Sequence, residues 1–109
     1  MAKAKYWHKG VSIDYMNNGD AAIEANSVVV VGKHIGIAGT DIAPGETGSL
    51  VTEGVFKFAK GDEDIVIGDD VYFNAAGGII TKTDTDIPAG YAVAAAGTTE
   101  TEVLVKLAG

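Results

Sequence analysis

Cysteine and arginine are absent from the 109 residues, proline occurs twice and tryptophan once. With no cysteine there is neither a disulfide framework nor a thiolate metal site, so the chain is indifferent to the redox state of its compartment. Long apolar runs are missing as well: the uniformly apolar stretches at 28–31 and 92–96 fall far short of the roughly 20 residues a membrane helix needs, and no membrane span is expected. No apolar segment follows the N-terminal lysines, which does not read as a secretory signal and makes the cytoplasm the expected place of synthesis. Positive charge is scarce and unevenly placed. Of eight lysines, Lys3, Lys5 and Lys9 lie in the first ten residues beside Tyr6 and Trp7, where there is no acid. Past Gly10 five lysines face fifteen carboxylates, a balance of −10, and such a body repels nucleic acid.

What is present is a folding composition. Apolar residues make up 47% and charged residues 21%, and fifteen glycines imply many turns. The length suits one domain, near the size at which a neighbouring subunit often completes the core. The one compositional boundary divides an N-terminal arm, 1–10, from a β-rich body, 11–109, and no internal repeat is visible.

Within the body the apolar period is two. Val11, Ile13 and Tyr15 alternate with polar neighbours, and Asn17-Asn18-Gly19-Asp20 before Ala21 to Ala25 reads as a hairpin turn. Val28 to Val31 and Ile35 to Ala38 read as strands, 39–49 as a loop around Pro44-Gly45, and Leu50 to Phe58 as one strand. Val71 to Thr83 reads as a second hairpin turning at Ala76-Gly77-Gly78, Asp86 to Gly90 as a turn around Pro88, and Tyr91 to Ala94 and Val103 to Leu107 as the last strands. A short helix between Asp62 and Gly68 is the one departure the pattern leaves room for, since apolar spacing of helical period never lasts three turns. The expected fold is all-β, a small antiparallel barrel or sandwich with glycine-rich turns and an extended N-terminal arm.

Catalytic constellations are hard to find. Neither G-x-x-x-x-G-K-[ST] nor G-x-G-x-x-G occurs, so the glycines at 32, 36, 39, 45 and 48 read as turn geometry rather than a phosphate cradle. The acids Asp62, Glu63, Asp64, Asp69 and Asp70 lack the alternating ligands and closing glutamate of a calcium loop and read as a solvated loop. His8 and His34 do not form a ligand pair, and Ser12, Ser27 and Ser49 sit in no nucleophile elbow. The expectation is a protein that is not an enzyme and uses no metal or cofactor. The arm remains. Its bland reading is a frayed terminus; its functional reading is an extended strand that adds to a partner's sheet edge, with Tyr6 or Trp7 filling a pocket and the lysines steering it to an acidic surface.

The order and spacing of several segments resemble one family. They are Lys5-Tyr6-Trp7-His8-Lys9-Gly10, Ser12-Ile13-Asp14-Tyr15, Ile35-Gly36-Ile37-Ala38, Ile42 to Ser49, Glu53-Gly54-Val55-Phe56, Gly68 to Tyr72, Gly90 to Val93 and Val103 to Leu107. Together they are similar to the capsid cement, or decoration, proteins of tailed phages and prophages, and by fold analogy to the lambda-type head decoration protein. The resemblance implies a homotrimer on the outer surface of the mature capsid, holding the major capsid protein lattice together without catalysis, in a protein made in the bacterial host cytoplasm. It also implies capsid-binding roles for Lys3, Lys5, Tyr6, Trp7 and Lys9. A tail or fibre-base component and a surface carbohydrate-binding module are the alternatives.

Overall fold

The computed structural model describes residues 2–6 and 10–108. Nine strands follow in order: β1 (Ser12–Met16), β2 (Val28–Val31), β3 (His34–Ala38), β4 (Thr47–Val51), β5 (Glu53–Ala59), β6 (Asp70–Asn74), β7 (Ile79–Thr81), β8 (Ile87–Ala92) and β9 (Glu102–Ala108). No helix occurs among the described residues, and Ile65, where a helical turn had room, instead pairs with Ala96 in an isolated bridge. The strands form two antiparallel sheets, ordered β1-β4-β3-β2 and β5-β9-β8-β6-β7. Neither closes into a barrel, so of the two expected architectures the chain adopts the sandwich.

Alternation explains the register. Along β9, Val103, Val105 and Leu107 are buried while Glu102, Leu104 and Lys106 face outward. Each fully buried aliphatic side chain contributes about 1.5–3 kcal/mol, and a slip of one residue would exchange all three for two charges and one leucine. One core cluster joins the sheets: Ile35 and Ile37 from β3 meet Phe58, Val71, Phe73, Ile80, Val105 and Leu107, with Val28 and Val51 packed against them.

Several sequence expectations need correction. Leu50 to Phe58 is two strands, broken at Thr52 where the chain leaves one sheet for the other. Asn17-Asn18-Gly19 does not close a hairpin: β1 pairs with β4, and Asn17 is buried as a loop cap. Pro88 lies inside β8 rather than at a turn, at a point where the β6–β8 register shifts and a missing N–H is tolerated. The second hairpin is present as expected, β6 and β7 pairing around residues 75–78.

The structure also contains the repeat that the sequence hides. Strands β1, β4, β3, β2 of the first half recur in the second as β5, β9, β8, β6 with the same order and pairing. Val28 opposite Ile37 and Ile37 opposite Val51 correspond to Asp70 opposite Tyr91 and Tyr91 opposite Lys106. The loops match bond for bond. Ile23 and Ile42 exchange two backbone hydrogen bonds of 2.9 and 2.8 Å, as do Ile65 and Ala96. The N–H of Asn26 donates to Ala38 O at 2.8 Å, and that of Gly68 to Ala92 O at 2.8 Å. Among the described residues Asn26 is the one non-glycine residue with a positive φ, 71°, and Gly68 stands at 89°, so both halves make the same left-handed turn with the two residue types that tolerate it best. The halves differ chiefly in β7, which extends the β6 hairpin and has no counterpart in the first half.

Candidate functional site

The arm is anchored at its root. The N–H of Thr52 donates to Val11 O at 2.9 Å, and Thr52 Oγ1 donates to Gly10 O at 2.5 Å, so the β4–β5 junction holds the point where the arm leaves the body. Residues 2–6 have no regular secondary structure and are exposed, Tyr6 to 81%. Lys3, Lys5 and Tyr6 are therefore open to solvent. Trp7 and Lys9, the other two residues singled out from the sequence, lie outside the described residues.

The acids of the body serve its loops. Asp41 Oδ1 accepts the N–H of Ala25 at 2.8 Å, Asp69 Oδ2 that of Val66 at 3.0 Å, and Glu46 Oε1 that of Ala43 at 3.2 Å. Asp86 accepts the Thr81 hydroxyl at 2.6 Å, and Lys82 lies 3.6 Å from Asp69 in a surface ion pair of the kind worth about 0–1 kcal/mol. Among the described residues no three histidine or acidic side chains gather as metal ligands would. His34 is the first residue of β3, exposed and paired with Val31, so it lies in a strand and not in the turn, which falls at residues 32–33.

Two buried polar residues were not legible as such. Asn17 is 3% exposed and donates through Nδ2 to Ala21 O at 2.9 Å and Ile42 O at 3.0 Å. Lys60 is 5% exposed and donates through Nζ to Gly61 O and Gly97 O, both at 2.8 Å, and to Glu100 O at 2.9 Å. They are equivalent in the repeat: each follows the first strand of its half, and each N–H bonds at 2.9 Å to the loop before the last strand, at Glu46 and Thr101. The only sequence signal was position, one residue beyond a strand of alternating parity.

Two further surface features flank the arm and body. The outer face of the second sheet carries Val55, Lys106 and Tyr91 in one cross-strand row, with Lys57 and Leu104 in the next, all exposed. On the first sheet an apolar hollow of about 240 Å³ opens beside Gly10, lined by Ile13, Val31, His34, Gly36, Leu50 and Thr52 among others.

Compared with known proteins, the chain matches a family model described as phage cement protein over residues 7–107. It matches no curated protein and no solved structure.

Proposed function

The chain belongs to the phage cement protein family, and from that premise we propose that it binds the outer surface of the mature phage head as a homotrimer and stabilises the lattice of the major capsid protein. Association with the virion capsid is what the family name carries; the family match over residues 7–107 is the observation that supports the reading most. The trimer and its placement on the mature shell are the further steps. Binding the expanded shell and not its precursor stabilises that state by mass action, and three arms on one body convert weak contacts into avidity.

Within this reading Lys3, Lys5, Tyr6, Trp7 and Lys9 form the capsid-binding segment. The exposure of Lys3, Lys5 and Tyr6 and the anchoring of Gly10 support that role. The lysines speed and orient encounter with an acidic shell, while an aromatic anchor supplies most of the holding energy. Arm, 1–10, and body, 11–109, then divide the work between gripping and plugging. The protein acts by occupying a site, as a structural component with no catalytic step.

Co-sedimentation tests this directly. Purified full-length protein mixed with expanded, undecorated capsids pellets with the shells at a saturating stoichiometry that is a multiple of three per binding position. Protein that stays in the supernatant at every capsid concentration overturns the cement reading.

A further inference from the structure

The hollow beside the arm is the place in the first half where the second half keeps a strand. In the second half β7 pairs along β6, Phe73 opposite Ile80, and Ile80 is fully buried in the core cluster. An isolated bridge then links Ile80 to Lys60, just past β5, so β7 spans the gap between β6 and β5. In the first half the equivalents of β6 and β5 are β2 and β1. They are the two edge strands of their sheet, and among the described residues no strand lies between them.

The linings correspond residue by residue. Ile13 stands where Phe56 does, each opposite the equivalent residues Leu50 and Val105. Val31 opposite His34 matches Phe73 opposite Ile87, and Gly36 opposite Val29 matches Gly90 opposite Val71. The hollow of about 240 Å³ is thus the room that Ile80 and its strand fill in the other copy. It is large enough for one aliphatic or aromatic side chain. At Gly36, which lines it, an added Cβ would lie 3.0 Å from Leu50 Cβ, so a side chain there would crowd Leu50. Beside it β2 offers four consecutive valines on an unpaired edge, with Val30 exposed, the kind of edge that pairs with another chain unless it is covered.

We propose that this gap is a strand-acceptor site: an extended segment of the capsid subunit adds to the edge of β2 and inserts one aliphatic side chain between Ile13, Val31 and Leu50, as Ile80 does in the second half. The occupant's chemistry follows from β7, Ile79-Ile80-Thr81, an inward aliphatic residue in a short extended run. Its source follows from position: Gly10, the root of the capsid-gripping arm, lines the same hollow, so an arm lying on the shell brings the hollow to the shell. The inference rests on the arm reading above. Main-chain pairing supplies affinity and the filled pocket supplies selectivity, as in other strand-addition interfaces.

The test uses a capped peptide of residues 77–83, which contains β7, and two variants of the full chain. Ile13→Asp places a charge in the hollow; Ile13→Trp fills it while remaining apolar, so at least one is expected to keep the native circular dichroism. The peptide binds wild-type protein saturably, binds each folded variant at least about tenfold more weakly, and in excess reduces wild-type co-sedimentation with expanded capsids. The folded variants lose retention on shells as well. Absence of peptide binding, or peptide binding with undiminished capsid retention by the variants, overturns the proposal. Loss of self-association in the variants with capsid binding intact also overturns it, by assigning the hollow to a second copy. If wild-type protein is not retained at all, the cement reading fails, whereas the peptide titration still decides whether the gap accepts a strand.

Discussion

Replacing Lys60 by methionine is expected to destabilise the protein by about 2–4 kcal/mol, the balance of two opposed terms. In the native state the ammonium donates to three backbone carbonyls at 2.8, 2.8 and 2.9 Å and ties the loop after β5, at Gly61, and the loop before β9, at Gly97 and Glu100, to the end of β5. Hydrogen bonds to a charged group are worth about 1.5–3 kcal/mol each, so three sum to roughly 5–9 kcal/mol. Burying the ammonium, at 5% residue exposure, costs several kcal/mol in the native state, and methionine removes that cost while keeping most of the apolar stem. What remains is three carbonyls without a donor, rescued in part by water at the loop surface. The midpoint of thermal unfolding is expected to fall by about 8–16 °C for a chain of this length. Urea unfolding at one fixed protein concentration is the assay, since association would shift the midpoint by itself. Asn17→Ala removes three neutral hydrogen bonds from the equivalent place in the first half, two donated by Nδ2 and one accepted by Oδ1 from the Gly19 N–H, which is exposed and turns to water; it is expected to cost about 1–2 kcal/mol. A Lys60→Met change under about 0.5 kcal/mol, or one smaller than Asn17→Ala, refutes the view that the ammonium organises these loops.

Gly48→Ala is expected to destabilise by about 1–3 kcal/mol through overpacking, because the added Cβ would lie 2.5 Å from Ile42 Cγ1 and 2.7 Å from Ile42 Cδ1; an unchanged urea midpoint refutes it. Lys3→Glu combined with Lys5→Glu is expected to weaken capsid retention at low salt while leaving the circular dichroism unchanged, with the difference from wild type shrinking as ionic strength rises and the Debye length falls below about 8 Å. Equal retention by both proteins at low salt would remove the arm lysines from the mechanism.

The elements that the sequence announced were those whose identity is decided by parity. Val103-Leu104-Val105-Lys106-Leu107 alternates because one face meets the core and the other does not, and the structure buries those three apolar residues. The β6–β7 hairpin was legible for a similar local reason, a glycine pair between two β-branched segments. Legibility failed where a tertiary partner overrode the local signal. Asn17-Asn18-Gly19 has the chemistry of a tight hairpin, but β1 finds its partner in β4, 31 or more positions away in register, and the asparagine closes a loop instead. Lys60 opens a run of charges, and nothing local marks it as buried; its charge is held by the carbonyls of Gly61, Gly97 and Glu100, two of them far along the chain. The arm residues were legible by composition alone, and the structure adds the exposure of three of them and the anchor at Thr52.

The repeat escaped the sequence because what the halves share is backbone geometry, and backbone hydrogen bonds constrain side chains weakly. Among equivalent positions a few identities persist, Gly36 with Gly90 and Ala38 with Ala92. They fall where a close approach or a loop bond limits the choice. Elsewhere the two copies face different surroundings and have diverged accordingly. Val28, Ile37 and Val51 in the first half look onto the core and are apolar; their equivalents Asp70, Tyr91 and Lys106 look outward and are polar or amphipathic. On the opposite faces the direction reverses: Phe56, Phe73 and Ile87 belong to or pack on the core, whereas Ile13, Val31 and His34 line an open hollow. The hollow has become less apolar than its buried counterpart, as an exposed surface must to stay soluble, but it has not become polar. Ile13, Val31 and Leu50 remain, with an unpaired valine edge beside them. Ile13, 37% exposed, stands with Val31 over the fully buried Leu50, and an apolar cluster open to solvent beside an unpaired strand edge is the physical reason to look for the strand that covers it.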